Sequence, residues 1–331
     1  MEENTVNLKP ARKTFSLIGF ALCIYIAVSL IGQLALFYLP ELIWGSDNWY
    51  YNTTWGQWIA SFVPMYALAL PVFVLIIRKL PAQKPTENKL GVGQLIIFFL
   101  ISYFFIYVGN IIGTVLSAIF SGGTAENQIA ELAMDTNPIK VVVMVILAPI
   151  VEEFIFRKLI IDRTAIYGEK IAIFMSAFAF GLLHQNLFQF FYAFGVGLIF
   201  GYIYMRTGKI RYSIILHTII NFISSVVTSY LLKIVDIDKI INFNPNASTE
   251  ELMALVSDML PGLLLYILYS TVIMGIVIAG LVFFIIRLRR LKWEQSEQQL
   301  QKGTVFKTVY LNVGMILYIV ICTVFVVIAL F

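Results

Sequence analysis

Long apolar runs separated by short polar segments make up most of the chain. Nine such runs stand out, at 14–39, 57–77, 91–120, 139–161, 170–185, 187–205, 210–231, 261–286 and 308–331. In hydrocarbon every backbone N–H and C=O must be paired internally, so runs of this kind are read as helices. Most exceed the roughly 20 residues needed to cross a bilayer. Run 170–185 is short for a full crossing and is expected to be tilted, to begin below the bilayer or to turn back early. Run 91–120 is long and is expected to be tilted or partly outside the membrane. The predicted fold is all-α, a polytopic helical transmembrane bundle of about nine spans, with eight also compatible.

Composition excludes the other classes. Of 331 residues, 60% are hydrophobic and only 13% charged, against about 25% charged in soluble domains. A mean hydropathy of +0.87 over the whole length is more than one anchor on a soluble domain would give. Cys23 and Cys322 are the only cysteines and both fall in apolar runs, so no disulfide framework is expected. The small net charge of +4 gives no support to nucleic-acid binding. The basic residues alternate between loops, 20 on one side of the layout and three (Lys140, Lys233 and Lys239) on the other. By the positive-inside rule the N-terminus is cytoplasmic and the C-terminus outside. The apolar run at 14–39 is too long for a signal peptide and is read as the first span.

The connecting segments carry their own signals. Loop 40–56 holds Trp44, Trp49, Tyr50, Tyr51 and Trp55 and reads as an interfacial aromatic belt. Segment 79–90 reads as a flexible cytoplasmic linker, 125–136 as a short acidic surface helix, and 287–307 as a cytoplasmic helix lying at the anionic leaflet. Gly195, Gly197 and Gly201 prepare the run 187–205 for close helix packing.

Charges inside the runs are few. Only Glu152 and Glu153, of 19 acidic residues, lie well inside one. A central acid costs at least about 2.5 kcal/mol on insertion scales, so two together need a reason. Both of the chain's histidines, His184 and His217, are in apolar surroundings too. Glu153 and Arg157 are four residues apart and can pair on one helix face. Glu152 is rotated by about 100° and is freer to meet another helix or a water. His217 and Asn221 share a face, as do Phe180 and His184. Ser176, Ser213, Ser224 and Ser225 are nearby, yet none stands at a spacing that proves a His partner. The remaining chemistry is that of water. A carboxylate can act as general base, with imidazole and amide groups stabilising an oxyanion. Alternatively Glu152, His184 and His217 match the ligand count of a catalytic zinc site with one open position. Spacing alone leaves both open.

Glu152-Glu153-Phe-Ile-Phe-Arg157, Phe180-Gly-Leu-Leu-His184 and His217-Thr-Ile-Ile-Asn221, in that order on successive runs, resemble the CAAX-protease and bacteriocin-processing (Abi) family of intramembrane proteases. The resemblance covers roughly 138–231. It implies that Glu152 activates water, that Glu153 and Arg157 shape and hold the site, and that His184 positions water or substrate. His217 and Asn221 would form the oxyanion pair, with Phe180 as packing support. It also implies no obligatory cofactor, Zn2+ being the alternative. The layout is thus a catalytic core at 139–231, N-terminal helices at 1–138, and a C-terminal loop and two helices at 232–331. The expected substrate is a membrane-associated peptide or protein, and the expected location an integral position in the bilayer, the plasma membrane if the source is bacterial. A non-catalytic scaffold or regulator and a proton-relaying transporter are the rival readings. Counted at 1.5 Å per residue, Glu152 and His217 lie about 10–14 Å from the cytoplasmic ends but His184 about 20 Å, so the three meet only if run 170–185 is displaced.

Overall fold

A computed structural model of the chain describes residues 8–135, 137–235, 248–291 and 293–331. Part of loop 232–260, with Lys239 of the charge count, and the extreme N-terminus lie outside the described residues, as do Thr136 and Lys292. The described residues form helices and no strand. In order these are α1 (Leu8–Trp44), α2 (Thr54–Ile77), α3 (Val92–Ser121), α4 (141–164), α5 (Glu169–Leu183), α6 (Leu187–Thr207), α7 (Arg211–Val235), α8 (Thr249–Leu288), α9 (Lys302–Val309) and α10 (Val313–Ile328). Each predicted apolar run coincides with one of them, the last with the α9–α10 pair.

Among the described residues six helices (α1, α2, α3, α6, α7 and α8) are long and apolar enough to cross a membrane, and the α9–α10 pair, bent by 64°, makes up to seven. Two helices of the nine-run layout are not among them. α4 carries Glu152, Glu153, Arg157 and Lys158 in its middle, and α5 has only 15 residues, about 22 Å. These two bear most of the polar residues singled out by the sequence. They pack among longer apolar helices: half or more of the apolar windows of α1 and α6 is buried inside the protein. α8, by contrast, buries 11% of its window and presents the rest to lipid. Its 40 residues, about 60 Å, exceed a hydrocarbon core of about 30 Å.

Small residues set the closest crossings. Gly19 of α1 and Gly314 of α10 meet backbone to backbone: a Cβ built on Gly19 would lie 2.3 Å from the Gly314 carbonyl carbon. Gly197 and Gly201 face α5, where a Cβ on Gly197 would stand 3.0 Å from Ala177. α6 packs closely against both α5 and α3.

α2 and α4 are locally widened to π-helical geometry at Pro64–Ala69 and Val141–Leu147. Each stretch ends two residues before a proline, Pro71 or Pro149. Proline lacks the N–H that would close the turn and clashes with the carbonyl four residues earlier, so the wider turn relieves both.

Two connecting segments differ from their sequence reading. Residues 79–90 are not a loose linker: Gln83 N donates to Asp162 O (2.7 Å), Asn88 N to Thr207 O (3.0 Å) and Leu90 N to the Tyr212 hydroxyl (3.1 Å). Residues 287–307 do not form one surface helix. α8 ends at Leu288, and 293–301 run without helix as a second strap. There Ser296 Oγ donates to Ala165 O (2.9 Å), while Gln298 N and Leu300 N donate to Ile166 O and Tyr167 O (both 3.1 Å). These polar groups find partners in the α4–α5 connection that a helix would have denied them. The helix expected within 125–136 forms at Gln128–Met134, and Trp44, Trp49 and Trp55 of the aromatic loop are exposed.

Candidate active site

Glu153 and Arg157 lie one turn apart on α4 and both are fully buried. Arg157 Nε donates to Glu153 Oε2 at 3.0 Å and Nη2 to Oε1 at 3.3 Å, a two-point contact that uses the planar guanidinium fork. Nη1 donates to Ser176 Oγ of α5 (3.1 Å), and that hydroxyl donates to Phe156 O (2.8 Å). The Arg157 guanidinium also lies over the Phe180 and Phe200 rings, at 5.3 and 6.0 Å. A buried cation is thus met by a carboxylate, a hydroxyl and two aromatic faces, as burial of charge demands.

The pair is extended by α7. His217 Nδ1 is 3.2 Å from Glu153 Oε1, and its Nε2 is 3.6 Å from Glu152 Oε2. The imidazole therefore bridges two adjacent carboxylates that point in different directions. Of the four charged groups Glu152 has the most solvent access, with a quarter of its side chain exposed against 9% for His217 and none for Glu153 or Arg157.

Phe180 joins the two histidines. Its ring is edge-on to His184 at 4.9 Å and to His217 at 6.1 Å, and tilted against Phe156 at 5.1 Å. Phe200, on α6, closes the box at 5.5 Å from His217. His184 caps the C-terminus of α5, and its Nδ1 bonds Phe180 O at 2.9 Å. The turn that follows is tight. Gln185 adopts φ +57°, and Asn186 Nδ2 donates to His184 O at 2.7 Å, which fixes where the imidazole starts. The short α5, begun at the left-handed Gly168 (φ +130°), brings His184 to the same aromatic group as His217 despite the unequal depth count.

Asn221 lies one turn beyond His217. Its Nδ2 donates to Met144 O at 2.8 Å, inside the π-helical stretch of α4 where the shifted hydrogen-bond register leaves carbonyls open to side-chain donors. Asn221 thus ties α7 to α4 across the site. The structure brings Glu152, Glu153, Arg157 and His217 into one polar chain, sets Phe180 against it, and places His184 and Asn221 at its two flanks. Ser176, weighed from the sequence only as a nucleophile, is committed to Arg157 and a backbone carbonyl. Its place four residues before Phe180 was the available signal. Phe200 and the Met144 carbonyl carried no signal in the sequence.

The zinc alternative requires Glu152, His184 and His217 as a set. Among the described residues no three His, Cys, Asp or Glu side chains are grouped to hold a metal ion. Nδ1 of His217 is bonded to Glu153 and Nδ1 of His184 to the Phe180 carbonyl, which leaves the two Nε2 atoms as the free donors. As placed, Glu152, His184 and His217 do not converge as a ligand set.

The all-helical membrane fold thus holds a Glu-Glu-Arg-His chain in its core. A model of the Type II CAAX prenyl endopeptidase Rce1-like family matches residues 135–223, which hold every residue of this site. The chain is 30% identical over 174 residues to YdiL of Bacillus subtilis (strain 168), named a putative membrane peptidase, covering 50% of this chain and 69% of that protein. It is 26% identical over 174 residues to the membrane-embedded CAAX protease MroQ of Staphylococcus aureus (strain USA300), covering 48% of this chain and 70% of that protein. The chain belongs to the CAAX-protease family. No solved structure matches it significantly.

Proposed function

We propose that the chain is an intramembrane endopeptidase that hydrolyses a peptide bond of a membrane-associated peptide or protein with water activated by Glu152. The observation that carries this reading is the difference between the two adjacent glutamates. Glu153 is sealed and neutralised by Arg157, while Glu152 keeps a quarter of its side chain accessible and faces His217. Glu153 accepts from His217 Nδ1–H and so leaves Nε2 directed at Glu152. Glu152 takes a proton from water as the hydroxide attacks the scissile carbonyl. His217 Nε2 sits where it can share that proton and return it to the departing amine. An amide nitrogen has two hydrogens. In Asn221 one goes to Met144, and the other is the donor to the oxyanion. His184, whose Nδ1–H is given to Phe180 O, presents Nε2 as an acceptor that orients the water. His217 is thereby recast from an oxyanion donor to Glu152's proton partner. The reaction uses the chain's own residues and no metal. The test is purified full-length protein in lipid nanodiscs with a library of membrane peptides. Cleavage by the parent chain and none by Glu152→Gln is the expected result. Equal cleavage by both would remove Glu152 from the role of base, and no cleavage by either would favour a scaffold.

A further inference from the structure

At the end of the core where α6 passes into α7, a cavity of about 410 Å³ opens, distinct from the Glu152 site. Along α7, Arg211 at its rim is about 9 Å in helix rise from His217. Four cations line it: Lys84 from the 79–90 strap, Lys158 from α4, Lys209 from the corner and Arg211 from the first turn of α7. The strap makes the frame. Gly208 (φ +59°) approaches it so closely that a Cβ there would lie 2.5 Å from Pro85 O. Lys158 and Lys209 are held with no more than about a third of their side chains exposed.

The negative groups do not balance these cations. Glu87 sits between Lys84 and Lys209, 3.6 Å from the latter. Asp162 receives Lys158 at 2.7 Å and the Tyr204 hydroxyl at 2.6 Å. Four positive charges against two leave an excess of two, in a cavity where field lines concentrate. The same cavity is met by the start of α7. Its N-cap, Ile210, makes no side-chain cap; Tyr212 N donates to Lys209 O at 3.4 Å, and the N–H groups of the first turn that this leaves open give that end of a 25-residue helix a positive potential.

From the cavity, its charge and the uncapped helix end together, we infer that this corner is a binding site for a phosphate group, that of an anionic phospholipid headgroup or of free phosphate. A phosphate there bridges α4, α7 and the strap, the two helices that carry the catalytic glutamates and His217, and fixes their level at the membrane surface. The site needs no assumption about the peptidase reaction.

The test uses the full chain in detergent, with native mass spectrometry counting bound phosphatidylglycerol against phosphatidylcholine and a parallel titration with inorganic phosphate followed by thermal stability. The parent chain is expected to retain one phosphatidylglycerol in preference to phosphatidylcholine, or to be stabilised saturably by phosphate. K209Q/R211Q is expected to weaken this roughly tenfold or more, the factor for losing one charge-assisted contact. K84Q, on the strap and remote from any helix core, weakens it by a smaller factor and guards against a folding defect in the double variant. K302Q/K307Q removes the same charge outside this cavity and leaves binding unchanged. Lipid retention without a phosphate response assigns the site to a headgroup, and a saturable phosphate response assigns it to the free anion. No preference for either, or equal loss in K302Q/K307Q, overturns the site.

Discussion

His217 Nε2 stands 3.6 Å from Glu152 Oε2 while the opposite nitrogen of the same ring stands 3.2 Å from Glu153 Oε1. One imidazole therefore reads two carboxylates of different character. The Glu153 side is held by Arg157, which fixes the ring's orientation; in the proposed mechanism proton movement is then directed to Glu152.

From this follows the effect of Glu152→Gln. The amide keeps the size and loses the base, so hydrolysis falls by about 10²–10⁴-fold, the range of general base catalysis. The fold is expected to be kept, because Glu152 is partly exposed and the amide can still bond His217 Nε2. Product formation and thermal unfolding measured on one preparation check both halves.

Ser176→Ala separates a hydroxyl nucleophile from a structural one. Ser176 Oγ is held between Arg157 Nη1 and Phe156 O. The variant is expected to retain measurable cleavage and to lose about 1–3 kcal/mol of stability for the donor left unpaired on Arg157. Abolition of cleavage in a stably folded S176A protein would point to serine chemistry instead.

The chain's sequence carried this site further than it carried the segments around it. Glu153–Arg157, Phe180–His184 and His217–Asn221 are pairs within single helices, and helix periodicity alone puts each pair on one face. What joins the pairs is tertiary. The contact of His217 with both glutamates depends on α7 lying against α4, and the role of Met144 depends on a π-helical turn set by Pro149. The straps at 79–90 and 293–301 look loose in sequence because their partners are backbone carbonyls and N–H groups, which leave no residue-type signature. The helix layout was legible in the apolar runs, each of which coincides with a helix, and α4 with its charges and α5 with its 15 residues stand outside the six that are long and apolar enough to cross.

Metal dependence divides the two readings the residue types allowed. With His217 committed to Glu152 and Glu153, cleavage is expected to survive exhaustive treatment with a strong zinc chelator. Elemental analysis is expected to find less than one equivalent of Zn2+ per chain. Loss of activity on chelation, restored by added Zn2+, would mean that His217 leaves the carboxylates to serve as a ligand.

Asn221→Ala removes the Met144 bond and the proposed oxyanion donor together, whereas Met144 offers only a backbone carbonyl. The rate is expected to fall by about 10²–10³-fold, as for loss of one preorganised donor. Asn221→Asp keeps the size but presents an acceptor to the Met144 carbonyl and a negative charge to an oxyanion. It should be no more active than the alanine variant, which a merely space-filling role for Asn221 would not predict. Single-turnover rates on both variants, with unfolding midpoints, distinguish the cases.

The last prediction concerns the buried pair itself. Arg157→Met strands the Glu153 carboxylate in a sealed site with the His217 imidazole beside it, and a stranded buried charge costs about 3–5 kcal/mol. Glu153→Gln strands the guanidinium, softened by Phe180, Phe200 and Ser176, and should cost less. The double variant Glu153→Gln/Arg157→Met removes both charges, and a buried pair exchanged for neutral groups of similar volume is close to neutral in stability. The double variant is therefore expected to be more stable than Arg157→Met alone. It should nevertheless remain poorly active, because an amide, which can turn either its oxygen or its NH2 to the ring, no longer holds His217 in one orientation. Recovery of stability without recovery of turnover is the signature of a pair whose function is to orient His217. Recovery of both would show that the pair serves only to neutralise itself within the membrane.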